Sequence, residues 1–154
     1  MSKELIETFY TAFAALDADK MSSCYHDRLS FSDPVFPQLN AQQTKGMWSM
    51  LTERAKNDLE VTYHSVIADH ERGACIWEAT YPFSKTKRHV HNIIHASMRF
   101  EDGKIIEHRD HFSFWRWSSM ALGTPGKLMG WSPFLKSKVR GMAMKSLKEY
   151  LSKV

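Results

Sequence analysis

Two carboxylates and a histidine hold the chemistry that this chain could perform. Along an extended strand, residues two apart share a face, so His108, Asp110 and Phe112 point together. Asp33 ends a short apolar run and precedes Pro34. A carboxylate set among Trp and Phe side chains loses solvation, and its pKa rises toward the range where it can take and return protons. One such group can remove a proton or activate water while a second polar group returns the proton. Asp110, paired with Asp33 or His108, fits those two roles. Plainer roles fit the same residues: Asp110 can pair with Arg109 or another cation at a sheet edge, and Asp33 can serve an Asp-Pro turn.

The other reactive residue types point elsewhere. His89, His91 and His95 share one strand face, and a His-x-His pair suits a metal ion. No third or fourth ligand accompanies them, so structural or interface histidines are expected and no metal. At a dimer face, such a stripe would make association pH-sensitive. Cys24 and Cys75 lack a CxxC neighbour and read as buried free thiols of a reducing compartment.

The elements that must position these groups follow from periodicity. Leu5, Phe9 and Phe13, with Ile6 and Tyr10 beside them, form the apolar stripe of a first helix over 3–15. A short second helix, capped by Asp17 or Asp19, turns Met21, Cys24 and Tyr25 inward. Residues 28–33 read as a short strand stopped by Pro34, and a third helix over 44–56 carries Met47, Trp48, Met50 and Leu51. From Leu59 the period changes to two, which predicts four strands near 60–68, 74–83, 88–100 and 104–117 joined by hairpin-like turns. Residues 123–133, rich in Gly and Pro, read as an irregular loop. A last helix over 134–152 then turns Leu135, Val139, Met142, Leu147 and Leu151 one way and its cations the other.

Composition narrows the function. A chain of 154 residues suits one domain with a real core. From Trp131 onward six Lys/Arg face a single acid, so that segment carries +5 while residues 1–130 carry −1. The basicity belongs to a tail, and with no RNA or recognition-helix motif, nucleic-acid binding is not expected. A basic amphipathic helix can lie on an anionic membrane, but docking of its apolar face on the domain or a dimer mate is the simpler expectation, so membrane contact is not expected. The charged start of the chain lacks a signal-peptide core, and no window reaches the roughly 20 apolar residues of a membrane span, so a cytoplasmic location is expected.

Several of these segments together resemble the nuclear-transport-factor-2-like superfamily, including its SnoaL-like, ketosteroid-isomerase-like and limonene-epoxide-hydrolase-like branches. The run Phe9-Tyr10-Thr11-Ala12-Phe13, then Asp17-x-Asp19, Tyr25 and Phe31-Ser32-Asp33-Pro34-Val35-Phe36, is similar to the first helices and strand of that superfamily. Arg99 through Glu107 and Arg109-Asp110-His111-Phe112 extend the likeness. The resemblance implies an α+β fold: a cone-shaped, curved antiparallel sheet with three N-terminal helices around a pocket, plus an extra C-terminal helix. It assigns 1–117 to that domain and 118–154 to an extension that packs on it.

The resemblance also assigns positions. Asp33 matches the proton-shuttling carboxylate of the isomerases, while Phe9 and Ala96 stand where those enzymes keep two hydrogen-bond donors. Removing even one such donor typically costs ~10²–10³ in rate, so steroid isomerisation by that mechanism is not implied. Asp110 matches one member of the Asp-Arg-Asp set of the epoxide hydrolases, and Trp77 and Ala79 replace the other two. The cyclases pair an acid with a histidine, which Asp110 and His108 resemble. Phe31, Trp48, Trp77, Met98 and Phe112 become pocket-wall candidates, with Phe9, Ala79 and Ala96 beside them. The implied activity is cofactor-free isomerase, cyclase, lyase or hydrolase chemistry on a small apolar or aromatic molecule. The alternatives are a non-catalytic binder and a module that dimerises through its sheet.

Overall fold

The sheet is open and mixed, and its one parallel seam creates the site. A computed structural model of the chain describes residues 2–153. Helices α1 (Ser2–Ala14) and α2 (Ala18–Ser23) lead into strand β1 (Tyr25–Ser32). A loop and the two-residue strand β2 (Leu39–Asn40) precede α3 (Ala41–Ala55). A meander follows: β3 (Glu60–Ala68), β4 (Arg72–Pro82), β5 (His89–Glu101) and β6 (Lys104–His111). Three helices close the chain: α4 (Phe114–Leu122), α5 (Thr124–Met129) and α6 (Pro133–Ser152). The strand order is β2-β1-β6-β5-β4-β3; β1 runs parallel to β6, and the other pairs are antiparallel.

Local chemistry explains most boundaries. Asp17 caps α2 through Lys20 N at 3.1 Å, and Asn40 with Gln43 forms a reciprocal cap on α3, which therefore starts earlier than predicted. Tyr25 begins β1 rather than ending the second helix. Register shifts in β1, β3 and at Arg99/Phe100 of β5 bend the sheet around the N-terminal helices. On β5 the alternation is strict: Val90, Asn92, Ile94, Ala96, Met98 and Phe100 are buried. His89, His91 and His95 line the opposite face, where His91 Nε2 meets Glu78 at 2.7 Å and His64 meets the same carboxylate at 3.0 Å.

The C-terminal part departs most from expectation. Strand β6 ends at His111, and Ser113 caps a helix where a strand continuing to 117 is predicted. Phe114, Trp117, Ser118 and Ala121 are its buried residues, a helical spacing. Pro125 sits in the first turn of α5, where its missing N–H is harmless, so the predicted irregular loop contains a helix. Helix α6 packs on α3, with Leu147 buried and Leu135, Val139 and Leu151 half-buried, whereas Met142 faces solvent. Arg140 Nε donates to the Pro34 carbonyl at 2.8 Å, which ties α6 to the loop after β1.

Candidate functional site

His108 and Asp110 meet on the concave face of β6, both buried, because they alternate with exposed Arg109. The parallel seam sets Phe31 of β1 directly opposite His108. Across the antiparallel side, Ala96 lies opposite Asp110 and also opposite Cys75 of β4. Ala96 has no side chain able to reach its neighbours, and Phe9 no polar atom, so neither supplies a hydrogen bond.

Five side chains form one hydrogen-bonded chain. Trp48 Nε1 donates to the Tyr25 hydroxyl oxygen at 2.8 Å, and that hydroxyl lies 2.9 Å from His108 Nδ1. His108 Nε2 lies 2.9 Å from Asp110 Oδ1, which also accepts from Trp77 Nε1 at 3.3 Å. The indole of Trp48 can only donate, and an ionised Asp110 can only accept. One proton order satisfies every group: Tyr25 donates to Nδ1, and the imidazole donates from Nε2 to the carboxylate. Every polar atom of the imidazole is satisfied, which makes His108 a holder of Asp110 more than a mobile base.

Asp33 serves the turn and faces the same groups. Its Oδ1 accepts from the backbone of Val35 at 2.7 Å and of Phe36 at 2.6 Å, the plainer role expected for an Asp-Pro turn. Burial first, then the charge of Asp110, raise its carboxyl to about 7 in spite of the lowering by those backbone bonds. Asp33 and Asp110 thus belong to one electrostatic unit. Arg109 points away, toward Glu107 at 3.3 Å, so it is not the partner of Asp110.

Three tyrosines escaped the sequence reading as site residues. Tyr25 links His108 to Trp48. Tyr81 neighbours Asp33 electrostatically and accepts from Trp117 Nε1 at 2.8 Å. Tyr10 is fully buried, and its hydroxyl has no oxygen or nitrogen partner among the described residues. Burial first, then the charge of Asp110, drive the Tyr10 phenol well above its ordinary range. The neighbouring Cys75 thiol is pushed up to about 12 by burial and stays protonated. The signal for Tyr10 was its place beside Phe9 in the first helix, one position from the donor site of the isomerases.

Aromatic rings crowd the interior beneath the N-terminal helices. Phe9, Phe13, Tyr25, Phe31, Trp48, Trp77 and His108 meet ring to ring, with centroids 4.9–6.5 Å apart across the cluster including Tyr10. Ala79 and Ala96 are buried in the same core. Met98 and Phe112 are buried as well, Phe112 just past the end of β6. Two surface depressions of about 280 and 390 Å³ lie elsewhere: one beside Asn57, Tyr81 and His89, the other beside Asp17, Thr52 and Tyr150. Neither is lined by Asp33, His108 or Asp110.

Metal-ligating atoms gather outside the cone. His26, Glu101 and Asp102 bring donor atoms within 4.8 Å of one another, but Arg28 already holds Glu101 at 2.8 Å. A guanidinium there competes with any cation.

A family model for the SnoaL-like domain matches residues 6–108. The chain belongs to that family, within the nuclear-transport-factor-2-like superfamily. No curated protein matches it. Among solved structures, it is similar to an epoxide hydrolase of the limonene-epoxide-hydrolase type from M. tuberculosis. That match has 20% identity and a TM-score of 0.61, covering 84% of this chain and 95% of that one. It is also similar to IdmH, a candidate polyketide cyclase from Streptomyces antibioticus (18%, TM-score 0.64, 79% and 97% covered). A third neighbour is a protein with a ketosteroid-isomerase-like fold from Catenulispora acidiphila (13%, TM-score 0.67, 84% and 98% covered). At these identities the likeness is one of fold.

Proposed function

We propose that the chain is a small-molecule protein whose site lies at Asp110, with cofactor-free acid/base chemistry on an apolar substrate. One observation supports this reading most: a buried carboxylate held on one oxygen by His108 and Trp77, beside a second carboxyl raised to about 7. In this mechanism Asp110 removes a proton or activates water, and Asp33, near half-protonated at neutral pH, returns the proton. His108 acts as a positioning residue, fixed by Tyr25. The Tyr10 hydroxyl, with no oxygen or nitrogen partner among the described residues, donates to an oxygen of the substrate, a role left open by Phe9. Substrate entry displaces part of the aromatic cluster, and an apolar or aromatic molecule replaces those contacts at least cost.

The second reading is a non-catalytic binder that uses the same site, or a dimerisation module. The exposed sheet face with His64, Glu78, His91 and His95 would then join two copies in the cytoplasm.

A panel of ketones, epoxides and lactones separates these readings. Turnover by the wild type, lost in Asp110→Asn and Asp33→Asn with ligand-induced melting shifts intact, supports the enzyme. Melting shifts without turnover support the binder. Neither response from any apolar compound would remove the site at Asp110.

A further inference from the structure

Helix α5 and the outer side of α6 present an apolar surface that the fold does not use. Leu128 is 65% exposed, Trp131 74% and Phe134 71%, with Met129 and Trp115 beside them at 42% and 50%. These residues are contiguous: Trp115 Nε1 donates to the Lys127 carbonyl at 3.0 Å, and Trp131 Nε1 to the Leu128 carbonyl at 2.8 Å. Both indole N–H groups are thereby turned onto the backbone. The hydrocarbon edges stay outward. A side chain at Gly130 would collide with the Gly126 carbonyl and the Ser118 hydroxyl, so the corner is tightly built rather than a loose loop. Along α6 the exposed residues Phe134, Lys138, Met142 and Lys145 recur at helical spacing, followed by Lys148.

We propose that this tip docks on an anionic phospholipid bilayer. The charge supports that occupant: from Trp131 onward six cations face one acid, Glu149, near the far end of α6. Cores of protein–protein interfaces are depleted of lysine, whereas exposed Trp and Phe flanked by Lys suit the headgroup boundary. The contact is peripheral, since no helix among the described residues is long and apolar enough to cross a membrane. Lysines supply long-range attraction to anionic headgroups, and Leu128, Trp131 and Phe134 insert between them. The expectation that this helix makes no membrane contact is set aside on this point. The proposal stands apart from the chemistry at Asp110.

Flotation of the full chain with vesicles tests it, using phosphatidylcholine alone and phosphatidylcholine with about one-third phosphatidylglycerol. The expected result is binding at least about tenfold tighter to the anionic vesicles, weakened by salt, with a blue shift of Trp fluorescence. Lys138→Glu and Lys145→Glu should each weaken anionic binding by about fivefold or more. Combined Leu128→Ala, Trp131→Ala and Phe134→Ala should abolish it while the circular dichroism and melting temperature stay unchanged. Absence of wild-type binding to anionic vesicles overturns the proposal, as does unaltered binding by the triple variant. So does a solution dimer that Trp131→Ala converts to monomer with no vesicle binding, which would make the tip an interface between copies. A triple variant that unfolds is replaced by the lysine variants, whose full retention of anionic binding would also overturn it.

Discussion

Tyr25 of β1 and His108 of β6 are 83 residues apart in sequence, and their hydroxyl and Nδ1 lie 2.9 Å apart in the core. This bond fixes the imidazole in the tautomer that donates to Asp110. Removing it with Tyr25→Phe leaves His108 Nδ1 and Trp48 Nε1 unpaired in a buried site. The expected loss is about 2–4 kcal/mol, since each orphaned buried group costs ~1–3 kcal/mol. Urea unfolding measures it, and the ¹⁵N shift of Nδ1 should move toward an unbonded nitrogen.

Asp110 distinguishes charge from geometry. Asparagine can still accept from His108 and Trp77, so Asp110→Asn should cost no more than about 1–2 kcal/mol, mostly for its new amide hydrogens. Asp110→Leu leaves two buried donors without an acceptor and should cost about 3 kcal/mol or more. Paired denaturation curves check that order. Equal losses would mean that the carboxylate geometry is not what the core relies on.

Asp33 predicts a slope with pH. Its folded carboxyl is raised to about 7 from the ordinary value of 3.8, so between those values the folded chain holds a proton that the unfolded chain has released. Its contribution to stability is therefore full below about pH 4, falls as pH rises toward 7, and is flat above. An asparagine side chain mimics the protonated acid. Asp33→Asn should gain on the wild type from pH 4 to 7, by on the order of 1–2 kcal/mol after allowance for solvent at this half-buried group. Melting temperatures of both proteins across that range provide the check, and a constant difference would contradict the raised carboxyl.

Two glycines should respond in opposite ways. A methyl at Gly126 would overlap the Ser118 carbonyl, which is backbone and cannot swing aside. Gly126→Ala should cost about 3 kcal/mol or more and loosen the corner between α4 and α5. Gly141, on the open side of α6, has nothing within 4 Å of an added methyl. Gly141→Ala should stabilise by about 0.5–1 kcal/mol through helix propensity. Thermal melts of the two variants suffice.

The sequence made the cone legible and the site only half so. Alternation groups Ala96 with Met98 on β5 and His108 with Asp110 on β6, and these four are buried while His89, His91 and His95 line the opposite face. Helix α4 was misread because Phe112, Phe114 and Trp117 continue an aromatic run from the strand. The helical spacing of Phe114, Trp117 and Ala121, with Ser113 before them and Gly123 after, was the available signal. Tyr25 was missed because its partner is set by the β1–β6 pairing, a long-range contact that local periodicity does not encode. The crowding of rings in the interior likewise depends on how far the side chains of α1 reach, which spacing alone does not give.

The parallel seam has a kinetic corollary. A chain made from its N-terminus must keep β1 unpaired on that side until β6 has been synthesised, because Phe31 pairs with His108. Non-local pairings form late and slow the search for the native state. Asp110, His108, Tyr25 and Trp48 therefore come together only near the end of assembly. A newborn chain stalled before Lys104 leaves β1 without its β6 neighbour, and such a fragment is the form most in need of a chaperone.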